Sequence, residues 1–253
     1  MDNRKRTGRY KRLDTIREKR RKQKQKQQLA TLLIVGGGVL LVVALIVIVA
    51  LGGKKTPVIT TTPIAITPLS RPQANGLAMG NPNASVRIDV WEDFQCPRCA
   101  EFTRDVERKI IDTYIAPGTV YYVFHQFPFI DNQVGGKESK QAANASMCAN
   151  EQDRFWDYHD ILFTNWAGEG EGSFSDKRLT AFAEMLGLDM NAFSSCLKAD
   201  RHKAEIDKDY QAGYSAGVRG TPSVFVNNVE VSPGFVPTYD QMVQAIEAAL
   251  AGK

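Results

Sequence analysis

Cys96-Pro97-Arg98-Cys99 places two thiols one helical turn apart, a spacing that serves a dithiol/disulfide redox pair, a structural bridge or half of a zinc site. Zinc normally takes a second cysteine pair, and the remaining cysteines, Cys148 and Cys196, stand alone, so no metal is expected. The run before the pair, Val86-Arg87-Ile88-Asp89-Val90-Trp91, alternates as a strand with one buried face, and Phe94 and Gln95 lead from it to Cys96. Pro97 suits the first turn of a helix, where its missing N–H is no loss. Cys96 then sits at the helix N-terminus. There the unpaired N–H groups and the positive end of the helix dipole favour a thiolate, and Arg98 adds a cation. Stabilising the thiolate stabilises the reduced form and makes the disulfide a stronger oxidant. Cys99, one turn on, is expected to be less exposed and to act as the resolving thiol. Far downstream, Gly220-Thr221-Pro222 forms a turn before another strand.

The elements that must hold this pair follow from the pattern of apolar residues. A helix is expected over Pro97 to Ile115, with Phe102, Val106, Ile110 and Ile111 on one face, and a central strand over Thr119 to Phe127. Together with the first strand they make a β-α-β unit. From about 137 to 216 the chain reads as helix, broken by Gly168-Glu169-Gly170-Glu171-Gly172. Phe155, Trp156, Tyr158, Phe163, Trp166, Phe174, Phe182 and Phe193 are expected to fill the core of that part. His125, His159 and His202 read as structural histidines. Ser223 to Val226 and Val229 to Val231 flank the tight turn Asn227-Asn228 as a hairpin, and a last helix is expected over Tyr239 to Leu250, started by Thr238 or Asp240.

From about Asn81 to Ala249 the chain resembles the DsbA-like branch of the thioredoxin superfamily. The resemblance lies in Glu92-Asp93-Phe94-Gln95-Cys96-Pro97-Arg98-Cys99, in the stretch from Cys148 to Trp156, and in Val218-Arg219-Gly220-Thr221-Pro222-Ser223. It implies an α/β thioredoxin-like fold, residues 81–253, with a helical domain inserted at about 137–216 over the redox site. It implies a cis proline at Pro222 beside the cysteines, leaving the Thr221 backbone free to pair with an extended peptide. Many relatives carry a buried glutamate six residues before the first cysteine. Val90 stands there in this chain, so proton transfer to the buried thiol is assigned to Glu92, Asp93 or water. The implied activity is thiol:disulfide exchange at Cys96 and Cys99, supported by Pro97, Arg98, Thr221 and Pro222, with no cofactor. The expected substrates are exported proteins with free cysteines, and the implied electron acceptor is a membrane quinone reductase of the DsbB or vitamin-K-epoxide-reductase type. Two other readings remain open: a reductase or isomerase of the same fold, told apart by reduction potential, and a redox-inert tethered binding or chaperone module.

The N-terminal part speaks to location. Leu29 to Leu51 is uncharged and, apart from Thr31 and three glycines, aliphatic. At 1.5 Å per residue it reaches roughly 35 Å, enough for a single transmembrane helix and longer than the apolar region of a signal peptide. Residues 1–28 hold thirteen Lys/Arg against Asp2, Asp14 and Glu18, which sets this basic tail in the cytoplasm and the rest outside the cell membrane. The net charge of +4 hides an acidic remainder, with 17 Lys/Arg against 25 Asp/Glu from Thr56 onward, so no nucleic-acid partner is expected. Residues 52–80, with Pro57, Pro63, Pro68 and Pro72 among threonines, read as a linker unable to bury a core. On the oxidising side of a membrane Cys148 and Cys196 are expected to form a second, structural disulfide, the alternative being two small buried residues.

Overall fold

The structure, a computed structural model, describes residues 62–252 together with Gly38 and Val42. Gly38 and Val42, both helical, belong to a unit Met1–Lys55, and the remainder forms a unit Thr56–Lys253. The basic tail 1–28, the span Leu29–Leu51 apart from those two residues, and linker residues 52–61 lie outside the described residues. Among the described residues no helix is long and apolar enough to cross a membrane.

The described part is a five-stranded sheet in the order β1-β3-β2-β4-β5, where β1 is Ala78–Gly80, β2 Val86–Glu92, β3 Val120–Gln126, β4 Ser223–Val226 and β5 Val229–Glu230. β2 and β3 run parallel, with Val86 opposite Val120 and Glu92 opposite Gln126. The other neighbours are antiparallel. The connection between β2 and β3 starts with α1 (Pro97–Phe102) and runs on through two π-helical turns, Thr103–Glu107 and Ile111–Ile115, that flank α2 (Arg108–Ile110). The alternation of Val86 to Trp91 suggests one buried face, but β2 is central and covered on both sides: only Arg87 is exposed. Asp89 is tolerated inside because Arg87 and His125 bind its carboxylate.

Between β3 and β4 lies the helical insertion: α3 (Asp131–Val134), α4 (Glu138–Asn150), α5 (Phe155–Thr164), α6 (Asp176–Met185), α7 (Met190–Lys198) and α8 (Lys203–Ser215). Of its aromatic residues, Phe155, Trp156, Tyr158, Phe174, Phe182 and Phe193 are buried, and Phe163 and Trp166 are partly so. Cys148 on α4 and Cys196 on α7, both fully buried, are joined by a disulfide. His125 sits between Asp89 and Asp209 and stacks on Trp91 at 4.3 Å. At the same ring α8 carries Gly213, where a Cβ would lie 2.6 Å from Trp91; this contact needs glycine. The β4–β5 turn places Asn227 and Asn228 at φ +46° and +66°, values asparagine tolerates. α9 (Tyr239–Ala251) begins with a capping box between Thr238 and Gln241 and packs on β2 and β4.

The linker boundary at residue 80 moves back. Ala78–Gly80 pairs with β3, and the Ile64 backbone exchanges two hydrogen bonds with the Asn165 side chain. Arg71, also in this stretch, is buried with its guanidinium 2.6 Å from Glu107 and 2.5 Å from Asp160. The stretch is thus fixed by ion pairs and backbone bonds, with Met79 buried in the main core and Ile66 and Leu77 packed against it.

Candidate active site

Cys96 occupies the cap position of α1, with φ −76° and ψ 120°, and Pro97 is the first helical residue. The Cys96 carbonyl accepts from the Cys99 and Ala100 N–H groups, which closes the first turn and brings the two cysteines together. Both are buried, Cys96 to 4% exposure and Cys99 to 0%, and both thiols are free. The Thr221–Pro222 peptide bond is cis, and the Cys96 thiol donates to the Thr221 carbonyl at 3.2 Å. That carbonyl is therefore engaged while Cys96 carries its proton.

The hydrogen bond from Cys99 lowers the Cys96 thiol to about 6 against the opposing effect of burial, and Thr221 and the Cys99 and Arg98 backbone N–H groups add to it. Burial and the neighbouring Cys96 push Cys99 well above the usual thiol range. The Arg98 guanidinium plays a smaller part than the sequence suggests, because it turns outward to Glu101 at 2.7 Å; what it contributes is its backbone N–H.

The two carboxyl groups just before the pair have different surroundings. Asp93, raised to about 7 by burial, is fully used by the chain: Oδ1 accepts from the Gln95 N–H and Oδ2 from the Ile130 N–H, so it shapes the turn into Cys96. Glu92 is also pushed up by burial to about 7, and among the described residues neither of its oxygens has a hydrogen-bond partner. Its charge acts on both Cys96 and Cys99.

Sequence reasoning passed over one residue that matters here. Gln95 ties the redox turn to the insertion: its side chain donates to Asp131 and Ser139 and accepts from the Gly170 N–H, and its carbonyl accepts from Trp166 at 2.6 Å. Its position next to Cys96 was the only local signal. His159, read as structural, faces Glu92 with Nε2 3.7 Å from Oε2. Burial pulls its pKa down, but Asp160 and Glu92 carry it up to about 9.

Among the described residues two groups of ligand-type side chains fall together. In Cys148, Cys196 and His202 the sulfurs are bonded to each other; in Glu92, Glu107 and His159, Arg71 already supplies a cation to Glu107. Outside the cysteines, a groove of about 730 Å³ runs past Arg98, Glu101, Arg219, Thr221 and Pro222 to Phe235, a ring 77% exposed.

The chain matches a family model described as Thioredoxin over residues 73–248. It is 29% identical to the disulfide bond formation protein D of Bacillus subtilis over 187 residues, covering 69% of this chain and 77% of that one. A probable disulfide bond formation protein D of Bacillus cereus is 29% identical over 177 residues, or 68% of this chain and 78% of the other. Among solved structures, oxidised BdbD from Bacillus subtilis superposes with a TM-score of 0.62 at 25% identity, over 70% of this chain and 94% of that one. Chlamydia trachomatis DsbA shares the fold, with a TM-score of 0.61 at 21% identity over 74% and 99% of the two chains.

Proposed function

Because this chain belongs to the thioredoxin family, in its DsbA-like branch, and is a thiol:disulfide oxidoreductase, we propose that it runs as an oxidase, donating a Cys96–Cys99 disulfide to exported proteins with free cysteines. A substrate thiolate attacks the Cys96 sulfur, the Cys96–Cys99 bond breaks, and Cys99 takes up a proton. A second substrate thiolate then attacks the substrate sulfur of the mixed disulfide and expels Cys96. Two electrons have passed to the cysteine pair, and the substrate holds a new disulfide.

One observation carries the direction: the Cys96 thiol is lowered to about 6 while its neighbour Cys99 is raised. A thiol that ionises readily is a good leaving group and stabilises the reduced enzyme, which makes the disulfide oxidising. The groove beside Thr221 and Pro222, with exposed Phe235 at its far end, is the seat we assign to the substrate peptide. We further propose that Leu29–Leu51 anchors the chain in the cell membrane with residues 1–28 in the cytoplasm, and that a DsbB-like or vitamin-K-epoxide-reductase-like quinone reductase reoxidises it. The support for this is the uncharged 23-residue run and the basic tail before it.

Equilibrating the protein with glutathione buffers tests the direction. A potential clearly above thioredoxin's value of about −270 mV is expected, and one at or below it makes the protein a reductase. Cys96→Ser should abolish disulfide transfer, whereas Cys99→Ser should accumulate mixed disulfides with substrates, visible on non-reducing gels.

A further inference from the structure

The end of α4 and the turn between α7 and α8 bring four ligand-type side chains to one place. Cys148 lies in the last turn of α4 with Glu151 just past it, and Cys196 lies in the last turn of α7 with His202 at the start of α8. Each element thus offers a pair. The two sulfurs and a ring nitrogen of His202 lie within 4.8 Å of one another. Oε1 of Glu151 is 3.7 Å from the Cys196 sulfur and 2.9 Å from His202 Nε2. Two thiolates, an imidazole and a carboxylate are a donor set for tetrahedral zinc, whose ligand atoms stand about 2.0–2.3 Å from the ion.

The remaining polar atoms of these side chains are held as a metal site needs them. His202 Nδ1 lies 3.1 Å from Glu205 Oε2, and a carboxylate there fixes the ring and leaves Nε2 for an ion. Glu151 Oε2 accepts from Arg201 at 2.6 Å, which leaves Oε1. This placement has supports besides the S–S bond. Asn144 of α4, itself buried, accepts from the His202 N–H and donates to the Leu197 carbonyl, and the Gln152 side chain exchanges two bonds with the Asp189 backbone at the start of α7. Both sulfurs are buried, whereas the His202 and Glu151 side chains are 15% and 30% exposed, so an ion has its way in on their side.

We propose that the Cys148–Cys196 bridge has an alternative: once reduced, the two sulfurs bind one zinc ion together with His202 and Glu151. A dithiol reductant gives two electrons and two protons to the bridge and becomes a disulfide itself. Zinc binding then releases both thiol protons and the hydrogen between Nε2 and Oε1 to solvent. With Arg201 beside Glu151, the charges of the occupied site sum to zero. The ion ties α4 to the α7–α8 turn in a chain whose bridge is open, and it keeps both thiols from pairing with Cys96 or Cys99. In the bridged protein the sulfurs are bonded to each other and no zinc is taken up.

The test reduces the full chain with dithiothreitol, removes the reductant by gel filtration without oxygen, and adds zinc chloride. The reduced Cys96→Ser/Cys99→Ser protein should retain one zinc per chain, and cobalt(II) in its place should show the intense visible bands of tetrahedral thiolate coordination. The bridged protein should retain none, and neither should reduced Cys148→Ser/Cys196→Ser. His202→Gln and Glu151→Gln, whose folding is checked by circular dichroism with the bridge intact, should each weaken zinc binding against a chromogenic chelator by at least about 10-fold. If reduction unfolds the insertion, zinc should restore its helical circular dichroism, and a failure to do so overturns the proposal. So does the absence of retained zinc in reduced Cys96→Ser/Cys99→Ser, or an unchanged affinity in either single variant. Zinc that stays in Cys148→Ser/Cys196→Ser and leaves with Cys96 and Cys99 assigns the ion to the redox pair instead.

Discussion

A thiol that ionises near pH 6 couples the stability of the reduced protein to pH. Cys96 titrates at about 6 in the fold and near 8.5 in an unfolded chain, so its stabilisation is complete above about pH 8.5 and lost as pH falls through 6. The oxidised protein has no such thiol. Glu92 and Asp93, whose raised pKa values favour the fold at low pH, are present in both redox forms, and of their shifts only the part of Glu92's that comes from Cys96 differs between them. The stability of reduced over oxidised protein should therefore rise between pH 5 and 8.5 by about 3 kcal/mol. Guanidinium unfolding of the two forms across that range measures it, and a constant difference would remove the thiolate from the account. Asp93 and Glu92 also show a limit of reading residues by type. Both are acidic, adjacent and buried, yet Asp93 is spent on two backbone N–H groups and only Glu92 is left open.

What the sequence made legible at the level of elements was local. Pro97 after Cys96, the asparagine pair in the hairpin and Thr238 three residues before Gln241 each act on neighbours within a turn, and each element appears where its signal lies. What it hid depends on distant partners. Arg71 sits among prolines and threonines, and its carboxylates come from positions 36 and 89 residues away. β1 is the three residues Ala78–Gly80, too short for a pattern, and exists because β3 has an edge to offer. Gln95 gains its weight only once the insertion has folded over it. The Cys148–Cys196 bridge joins α4 to α7 across 48 residues of sequence. Replacing both with alanine should cost about 2–4 kcal/mol in chemical unfolding, because the unfolded chain loses a loop constraint, while leaving disulfide transfer largely intact. A loss of transfer equal to that of Cys96→Ser would give this bridge a redox role instead.

The whole molecule is divided by charge: a strongly basic tail, an uncharged apolar run and an acidic remainder. The proposed topology predicts that protease added to intact cells or spheroplasts digests the catalytic part and spares residues 1–28; a soluble mature protein beginning after Ala50 would refute it. In an anchored chain, the bond from the Ile64 N–H to Asn165 acquires a meaning beyond packing. It fixes where the leash ends. Between Leu51 and Ile64 lie twelve residues, whose contour length is at most about 43 Å. Under the proposed anchoring, the redox centre would be held within that reach of the membrane in which its proposed acceptor lies. Adding residues before Ile64 would lengthen that reach without touching a single side chain of the site.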